Sequence, residues 1–202
     1  MMAPPVDFWF DFASTYSYLS ASRIDGEAAA RGVVVRWRPF LLGPIFAAQG
    51  WTDSPFNLQP VKGRYMWRDM TRRAERFGVP FRAPEDASAF PRRSLLAARV
   101  ALAVRDEPWG VAFCRQVFAA EFVEWRDIAD PAVIDACLEQ ARGSADGFSA
   151  ADIGDAQKTA LRASGEEAVA RGLFGAPSFV VGDEIFWGDD RLEDALDWAA
   201  KD

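Results

Sequence analysis

The chain has 202 residues, with 23 Lys and Arg against 30 Asp and Glu and a formal net charge of −7 at neutral pH. Half of it is hydrophobic, including 16 Phe and 8 Trp, enough for one large domain or a smaller one carrying an insertion, and too apolar for a disordered chain. The acidic balance argues against nucleic acid as a partner, and the absence of histidine removes His-based general-base chemistry, histidine metal ligation and every Ser-His-Asp triad.

The opening MMAPPVDFWF lacks the basic start and apolar run of a signal peptide. No window reaches the roughly 18 apolar residues of a membrane span, so no membrane partner and a cytoplasmic location are expected. Residues 6–13 then alternate Val6, Phe8, Phe10 and Phe12 against Asp7, Trp9, Asp11 and Ala13. Period two with apolar residues on both faces predicts a central strand. Ser14, Thr15 and Ser17 are capping or first-turn residues. Tyr18, Leu19, Ile24 and Ala28 come next at helical spacing, predicting one helix up to Arg31, closed by Gly32. VVVRWRPF at 33–40 predicts a second strand and completes a βαβ opening, without the GxGxxG of a dinucleotide fold.

From Leu41 to Pro60 three Pro and two Gly predict a loop with one short helical turn. A helix is expected over 61–77, with Tyr65, Met66, Met70, Ala74 and Phe77 along one face and Gly78 and Pro80 ending it. Its Arg-rich run RYMWRDMTRRAERF reads either as a solvated face or as a patch that holds an anion. Further helices are expected over 92–105, 109–123 and 130–141, the last with Pro131 at its first position. The stretch 61–142 is thus all helical, which fits an inserted subdomain. Cys114 and Cys137 fall in apolar helical patterns with no CxxC, and read as buried filler. A helix over 152–171, two short antiparallel strands at 178–182 and 184–187 around Gly182-Asp183, and a helix over 190–200 complete the chain. Without the insertion, a small mixed sheet with helices on both faces is left.

Ser14 stands where the first strand meets a helix, the place where open α/β sheets bind ligands; it reads as an N-cap or as a ligand contact. With no His or neighbouring Lys as base, it suits donating a hydrogen bond to a bound thiolate better than attacking a substrate. Ala176-Pro177 precedes a strand and reads as a strand-initiating or cis proline. Lys62 and Arg64 open a helix against its dipole, a placement open to solvent exposure or a ligand-facing role. Asp189 and Asp190 are suited to capping the last helix or holding an amino group, and Trp187 to the core or a pocket floor.

Together, DFWFDFASTYSYL, NLQPVKGRY, FGVPF and LFGAPSFVVGDEIFWGDDRL resemble the 2-hydroxychromene-2-carboxylate isomerase family, which is close to kappa-class glutathione transferases and the DsbA-like branch of the thioredoxin fold. The resemblance spans nearly the whole chain. It implies an α/β thioredoxin-like domain of DsbA/kappa type formed by residues 1–42 and 150–202, a helical insertion at 43–149, glutathione as cofactor, no metal, and a homodimer. It places the family's catalytic serine on Ser14 and the cis-proline turn that grips glutathione on Ala176 and Pro177. The polar insertion segment falls on Asn57 and Lys62, and the loop near the glutamyl end on Trp187, Gly188, Asp189, Asp190 and Arg191. Many members carry proline where this chain has Thr15, a departure that bears on substrate and rate more than on fold.

The activity the resemblance implies is glutathione-dependent interconversion of 2-hydroxychromene-2-carboxylate and trans-o-hydroxybenzylidenepyruvate, or a close aromatic analogue, by reversible thiolate addition to the unsaturated aromatic pyruvate. A kappa-like glutathione transferase acting on another electrophile, and a non-catalytic thioredoxin-fold binding protein, are the alternatives. A DsbA-like oxidoreductase is disfavoured, because Ser14 replaces the thiol and CxxC is absent.

Overall fold

A computed structural model describes residues 3–201. Its centre is strand β1 (Val6–Phe10), buried along its whole length. β1 pairs in parallel with β2 (Val35–Pro39), setting Phe8 opposite Trp37, and antiparallel with β3 (Ser178–Val181), setting Phe8 opposite Phe179. β4 (Glu184–Trp187) adds to the outer edge of β3 through the Gly182-Asp183 turn, giving the order β2-β1-β3-β4.

The helices in chain order are α1 (Thr15–Ala21), α2 (Ile24–Arg31), α3 (Leu42–Ala48), α4 (Pro55–Leu58), α5 (Pro60–Phe77), α6 (Leu95–Ala103), α7 (Gly110–Phe122), α8 (Pro131–Arg142), α9 (Asp155–Ala170) and α10 (Leu192–Ala199). Alternation along β1 divides the core. Val6, Phe8, Phe10 and Phe12 face one side, where Phe179, the α10 residues Leu192 and Leu196, and the apolar faces of α5 to α8 join a single cluster. Trp9 faces the other side with Val180, Phe40, Ile45 of α3 and Ala168 of α9. The 43–149 segment and the sheet therefore share one apolar interior. Aromatic rings carry that continuity: Phe8 stacks on Phe179 at 5.5 Å and on Phe10 at 5.1 Å, and Phe118 of α7 lies 5.0 Å from Phe12 and 5.6 Å from Phe10.

Four local expectations are corrected. The single helix over 15–31 is two, because Ser22 turns its hydroxyl back onto the Tyr18 carbonyl at 2.9 Å while Arg23 points inward to Asp189 and Glu193. The 41–60 stretch is not a loop with one turn; it holds α3 and α4. Pro44, Pro55 and Pro60 each fall in the first turn of a helix, where a missing N–H costs nothing, so they start helices instead of breaking them. Tyr65 is 60% exposed and leaves the buried face of α5 to Gly63, Met66, Met70 and Ala74; a Cβ at Gly63 would stand 2.5 Å from the Phe56 carbonyl oxygen. The Asp189-Asp190 pair does not cap α10: a short 3-10 turn over Asp189–Arg191 intervenes, and α10 starts without a side-chain cap. No described helix is long and apolar enough to cross a membrane.

One buried carboxyl stands out. Glu121 of α7 is fully buried, and neither of its oxygens accepts a hydrogen bond; Arg92 Nη1 stands 3.4 Å from Oε2, out of alignment. Burial pushes its pKa up to about 7, opposed by Arg92 and assisted by Asp127 and Asp11. The folded state therefore holds this proton between pH 4.5 and about 7, where the unfolded state has released it. Stability falls as pH rises through that window, by roughly 3 kcal/mol in all, and is level above it. Glu121→Gln is expected to shrink the difference between urea midpoints measured at pH 5 and pH 8; an unchanged difference would show that the carboxyl titrates normally.

Candidate functional site

The antiparallel register of β1 and β3 fixes where the two ends of the chain meet. Beyond Phe10 the chain turns at Asp11, whose carboxylate accepts from the Ala13 N–H at 2.9 Å, the Leu42 N–H at 2.8 Å and the Ser94 hydroxyl at 2.6 Å, while its carbonyl accepts from the Ser14 N–H at 2.9 Å. Burial pushes the Asp11 carboxyl up from its ordinary range, against the pull of these hydrogen bonds. The result is a turn held from three directions, with Ser14 delivered to the start of α1.

Ser14 does two things there. Its Oγ accepts from the Ser17 N–H at 3.2 Å, as an N-cap does, and donates to the Ala176 carbonyl at 3.1 Å. The hydroxyl thus bridges the first helix to the turn before β3, across 162 residues of sequence. The Ala176-Pro177 bond is cis. The Ala176 N–H donates to no acceptor among the described residues, whereas the Pro177 carbonyl accepts from the Gly188 N–H at 2.9 Å. Ser14, Ala176, Pro177 and Gly188 are therefore linked in series.

The 187–191 loop closes over this turn. Trp187 is half exposed, lies against Phe174 at 4.9 Å between centroids, and seats its indole on Gly175, where an added Cβ would meet Nε1 at 2.3 Å. Gly188 adopts φ 109°, and a Cβ there would lie 2.6 Å from Asp190 Oδ1. The two aspartates diverge. Asp189 is buried, with Ser20 Oγ and Arg23 Nη2 each donating to Oδ1 at 2.9 Å and Arg73 Nε and Nη2 donating to Oδ2. The Asp190 side chain is more than half exposed, with Arg191 Nη2 3.7 Å from its Oδ2. Arg191 is exposed and pairs with Asp194 at 3.1 Å.

Asn57 and Lys62 sit apart from this series. Asn57 Nδ2 donates to the Phe90 carbonyl at 3.0 Å and to Asp53 at 3.1 Å, and Lys62 Nζ lies 5.7 Å from the Phe56 ring centroid, beside an open recess lined by Gln59, Pro60, Val61 and Tyr65. Neither hydrogen-bonds to the Ser14 or 176–177 turns. Their helices reach the site through Tyr16 of α1, whose hydroxyl donates to Asp69 of α5 at 3.0 Å. Burial, with Asp69 beside it, pushes the Tyr16 phenol well above its ordinary value, so it stays protonated at neutral pH and is no general base.

Asp11, Gly175, Ser20 and Arg23 carry no role in the sequence reading, and Arg73 enters it only within the Arg-rich run, where the anion it holds is the Asp189 carboxylate. An Asp three residues before a capping Ser is a local turn signal that was available. Nothing in the order of residues pairs Arg23 and Arg73 with Asp189.

Comparison with known proteins agrees with this architecture. The family described as DSBA-like thioredoxin domain matches residues 5–197. A 2-hydroxychromene-2-carboxylate isomerase of Pseudomonas putida is 30% identical over 194 residues, covering 93% of this chain and 90% of the relative. Glutathione s-transferase kappa 2 of Caenorhabditis elegans is 25% identical over 211 residues, covering 97% and 92%. A solved structure of 2-hydroxychromene-2-carboxylate isomerase superposes with a TM-score of 0.80 at 24% identity, over 97% of this chain and 94% of that one. The fold is thioredoxin-like, of DsbA type, with additional helices.

Gly188 and Gly182 offer a direct check on the loop. Both have positive φ, but only Gly188 combines it with a side-chain clash. Gly188→Ala is expected to cost about 1–3 kcal/mol of stability and Gly182→Ala about 1, read from urea denaturation. Equal costs would mean that Asp190 moves aside freely.

Proposed function

The chain belongs to the DsbA-like thioredoxin family and, within it, to the 2-hydroxychromene-2-carboxylate isomerase family; from that premise we propose that it is a glutathione-dependent isomerase of 2-hydroxychromene-2-carboxylate and trans-o-hydroxybenzylidenepyruvate, or of a close aromatic analogue. The observation that carries the reading is the hydrogen bond from Ser14 Oγ to the Ala176 carbonyl, which sets a polarising hydroxyl beside the cis-proline turn. Bound there, glutathione would supply a thiolate for reversible conjugate addition to an aromatic pyruvate, the former double bond being free to rotate before elimination returns the thiolate and restores it.

The residues present fit such a group. The Ala176 N–H is without an acceptor beside a half-buried backbone, a ready donor for a peptide carbonyl. Asp190 offers a solvent-facing carboxylate to an α-amino group, and Trp187 offers an exposed ring above Gly175. Ser14 holds its proton on a carbonyl and is free to redirect it to sulfur, which favours the ionised thiol. Lys62 supplies a mobile cation for carboxylates arriving from the α4–α5 side; both amide protons of Asn57 are already donated, to Phe90 and Asp53, so its part is to hold the start of that segment. Ser14 acts as a hydrogen-bond donor, with no base at hand to make it a nucleophile.

Adding the protein to the chromene carboxylate, with and without glutathione, and following the ultraviolet spectrum tests the activity. Isomerisation that requires glutathione is expected, and its absence at saturating glutathione would end this reading. Ser14→Ala is expected to lower kcat about a hundredfold and to cost about 1 kcal/mol of stability for the lost cap. Turnover within a factor of about two of the wild type would remove the hydroxyl from the mechanism. The likeness to a kappa transferase supports a second reading, conjugation of glutathione to another electrophile. Glutathione consumption against 1-chloro-2,4-dinitrobenzene, with no isomerisation of the chromene carboxylate, would select it.

A further inference from the structure

The 187–191 loop contains two adjacent carboxylates with opposite surroundings, and the buried one has no place in the chemistry proposed above. A carboxylate offers about four lone-pair positions. At Asp189 all four are taken: Ser20 Oγ and Arg23 Nη2 on Oδ1, Arg73 Nε and Nη2 on Oδ2. Asp189 is 2% exposed, and the side chains of Arg23 and Arg73 are 8% and 23% exposed. A ligand amino group has no lone pair left to receive it there.

The partners of Asp189 lie on α1, at the α1–α2 junction and on α5. Ser20 is near the end of α1, whose first residue comes directly after Ser14. Arg23 sits between α1 and α2 and also pairs with Glu193 at the start of α10. Arg73 is on α5, the helix that carries Lys62 in its first turn and is tied to α1 again through Asp69 and Tyr16. Phe77 packs beneath both guanidiniums, its ring centroid 3.9 Å from Arg23 Cζ and 5.5 Å from Arg73 Cζ, which restricts both arginines to the geometry in which they meet Asp189.

These contacts close a circuit. Ser14 Oγ holds the Ala176 carbonyl, Pro177 O holds the Gly188 N–H, Asp189 holds Ser20, and α1 returns from Ser20 to Ser14. Trp187 is held independently, as the last residue of β4 opposite Ser178 and against Phe174; without the Asp189 link, the residues after it up to α10 keep the Gly188–Pro177 bond as their tie to the turn before β3.

We propose that Asp189 is a positioning residue: through Ser20, Arg23 and Arg73 it clamps the 188–191 loop to α1 and α5, and thereby sets Asp190, which meets the amino end of the bound peptide thiol, at a fixed distance from Ser14. The inference rests on the glutathione reading for its kinetic consequence, but its structural claim stands apart from that reading.

The test uses Arg73→Gln and Asp189→Asn, with Arg72→Gln as control, because Arg72 is an exposed neighbour on α5 that pairs with Asp69 and does not touch Asp189. Amide hydrogen exchange of the loop is read without any ligand. Both clamp variants are expected to lose protection at Gly188, whose N–H is bonded to Pro177 O, ahead of the β1–β3 amides, and the control is expected to keep it. In turnover assays Arg73→Gln is expected to raise the KM for glutathione about tenfold with kcat within about twofold of wild type, the pattern of lost ground-state positioning. Asp190→Asn should raise that KM too without disturbing exchange at Gly188, which separates contact from positioning.

Wild-type protection at Gly188 in both clamp variants would overturn the clamp. So would loss of protection that spreads equally over the β1–β3 amides, since that is general destabilisation. If the wild type shows no glutathione-dependent turnover, the functional reading fails while the exchange result still decides the clamp. If it does turn over and Arg73→Gln leaves the KM for glutathione unchanged despite lost protection, the positioning role is refuted.

Discussion

The pairing of β1 on both edges is the constraint on which the rest of this molecule depends. A strand buried on both faces and both edges has no freedom of register, and its two neighbours run in opposite directions. Parallel β2 requires a crossover, which α1 and α2 provide. Antiparallel β3 brings the chain in beside the carboxyl end of β1, so the residues before Ser178 must lie against those after Phe10. Ser14 and the 176–177 turn meet for that reason alone. Side-chain chemistry then refines a meeting that backbone topology had already arranged.

The same constraint explains why the long helical segment is no appendage. Phe10 and Phe12 continue the inward face of β1 and pack onto Phe118 of α7, so the aromatic residues of the sheet are completed by the helical segment that follows β2. Removing that segment would strip one face of the central strand. Polar contacts take the same route: Ser94, just before α6, holds Asp11, and Arg92, two residues earlier, faces Glu121. The buried carboxyls of Asp11 and Glu121 are both shifted upward, because the helical segment seals them from water.

The period-two run at 6–13, the Gly182-Asp183 turn and the helix-ending glycines at 32 and 78 were legible because each is a local signal with one meaning. Proline was harder to read. Pro44, Pro55 and Pro60 suggested a loop, yet a first-turn proline and a loop proline differ only in whether the residues after them go on to close helical hydrogen bonds. Ser14 was legible first as a cap, which the bond from the Ser17 N–H bears out, and also as a ligand contact; its bond to the Ala176 carbonyl depends on a turn 162 residues away. Asp189 and Asp190 were indistinguishable in sequence. Which of two adjacent carboxylates turns inward depends on Arg23 and Arg73, more than a hundred positions away. Local order specifies elements; the partners of a buried charge are set by the packing of elements remote in sequence.

The hydrogen bonds that shape the site span 162 residues at Ser14 and 169 at Ser20, close to the full length of the chain. On a ribosome adding about 5–20 residues per second, β1 is synthesised roughly ten to thirty seconds before β3. Throughout that interval its antiparallel edge has no native partner, and a strand as apolar as VDFWF is a hazard with an edge open. The helices encoded in between can cover one face of β1 as they emerge, but they cannot supply the missing strand. Newly made chains therefore stay exposed to misassociation until β3 is available, and the strand that brings the 176–177 turn to Ser14 is the same one that brings this vulnerability to a close.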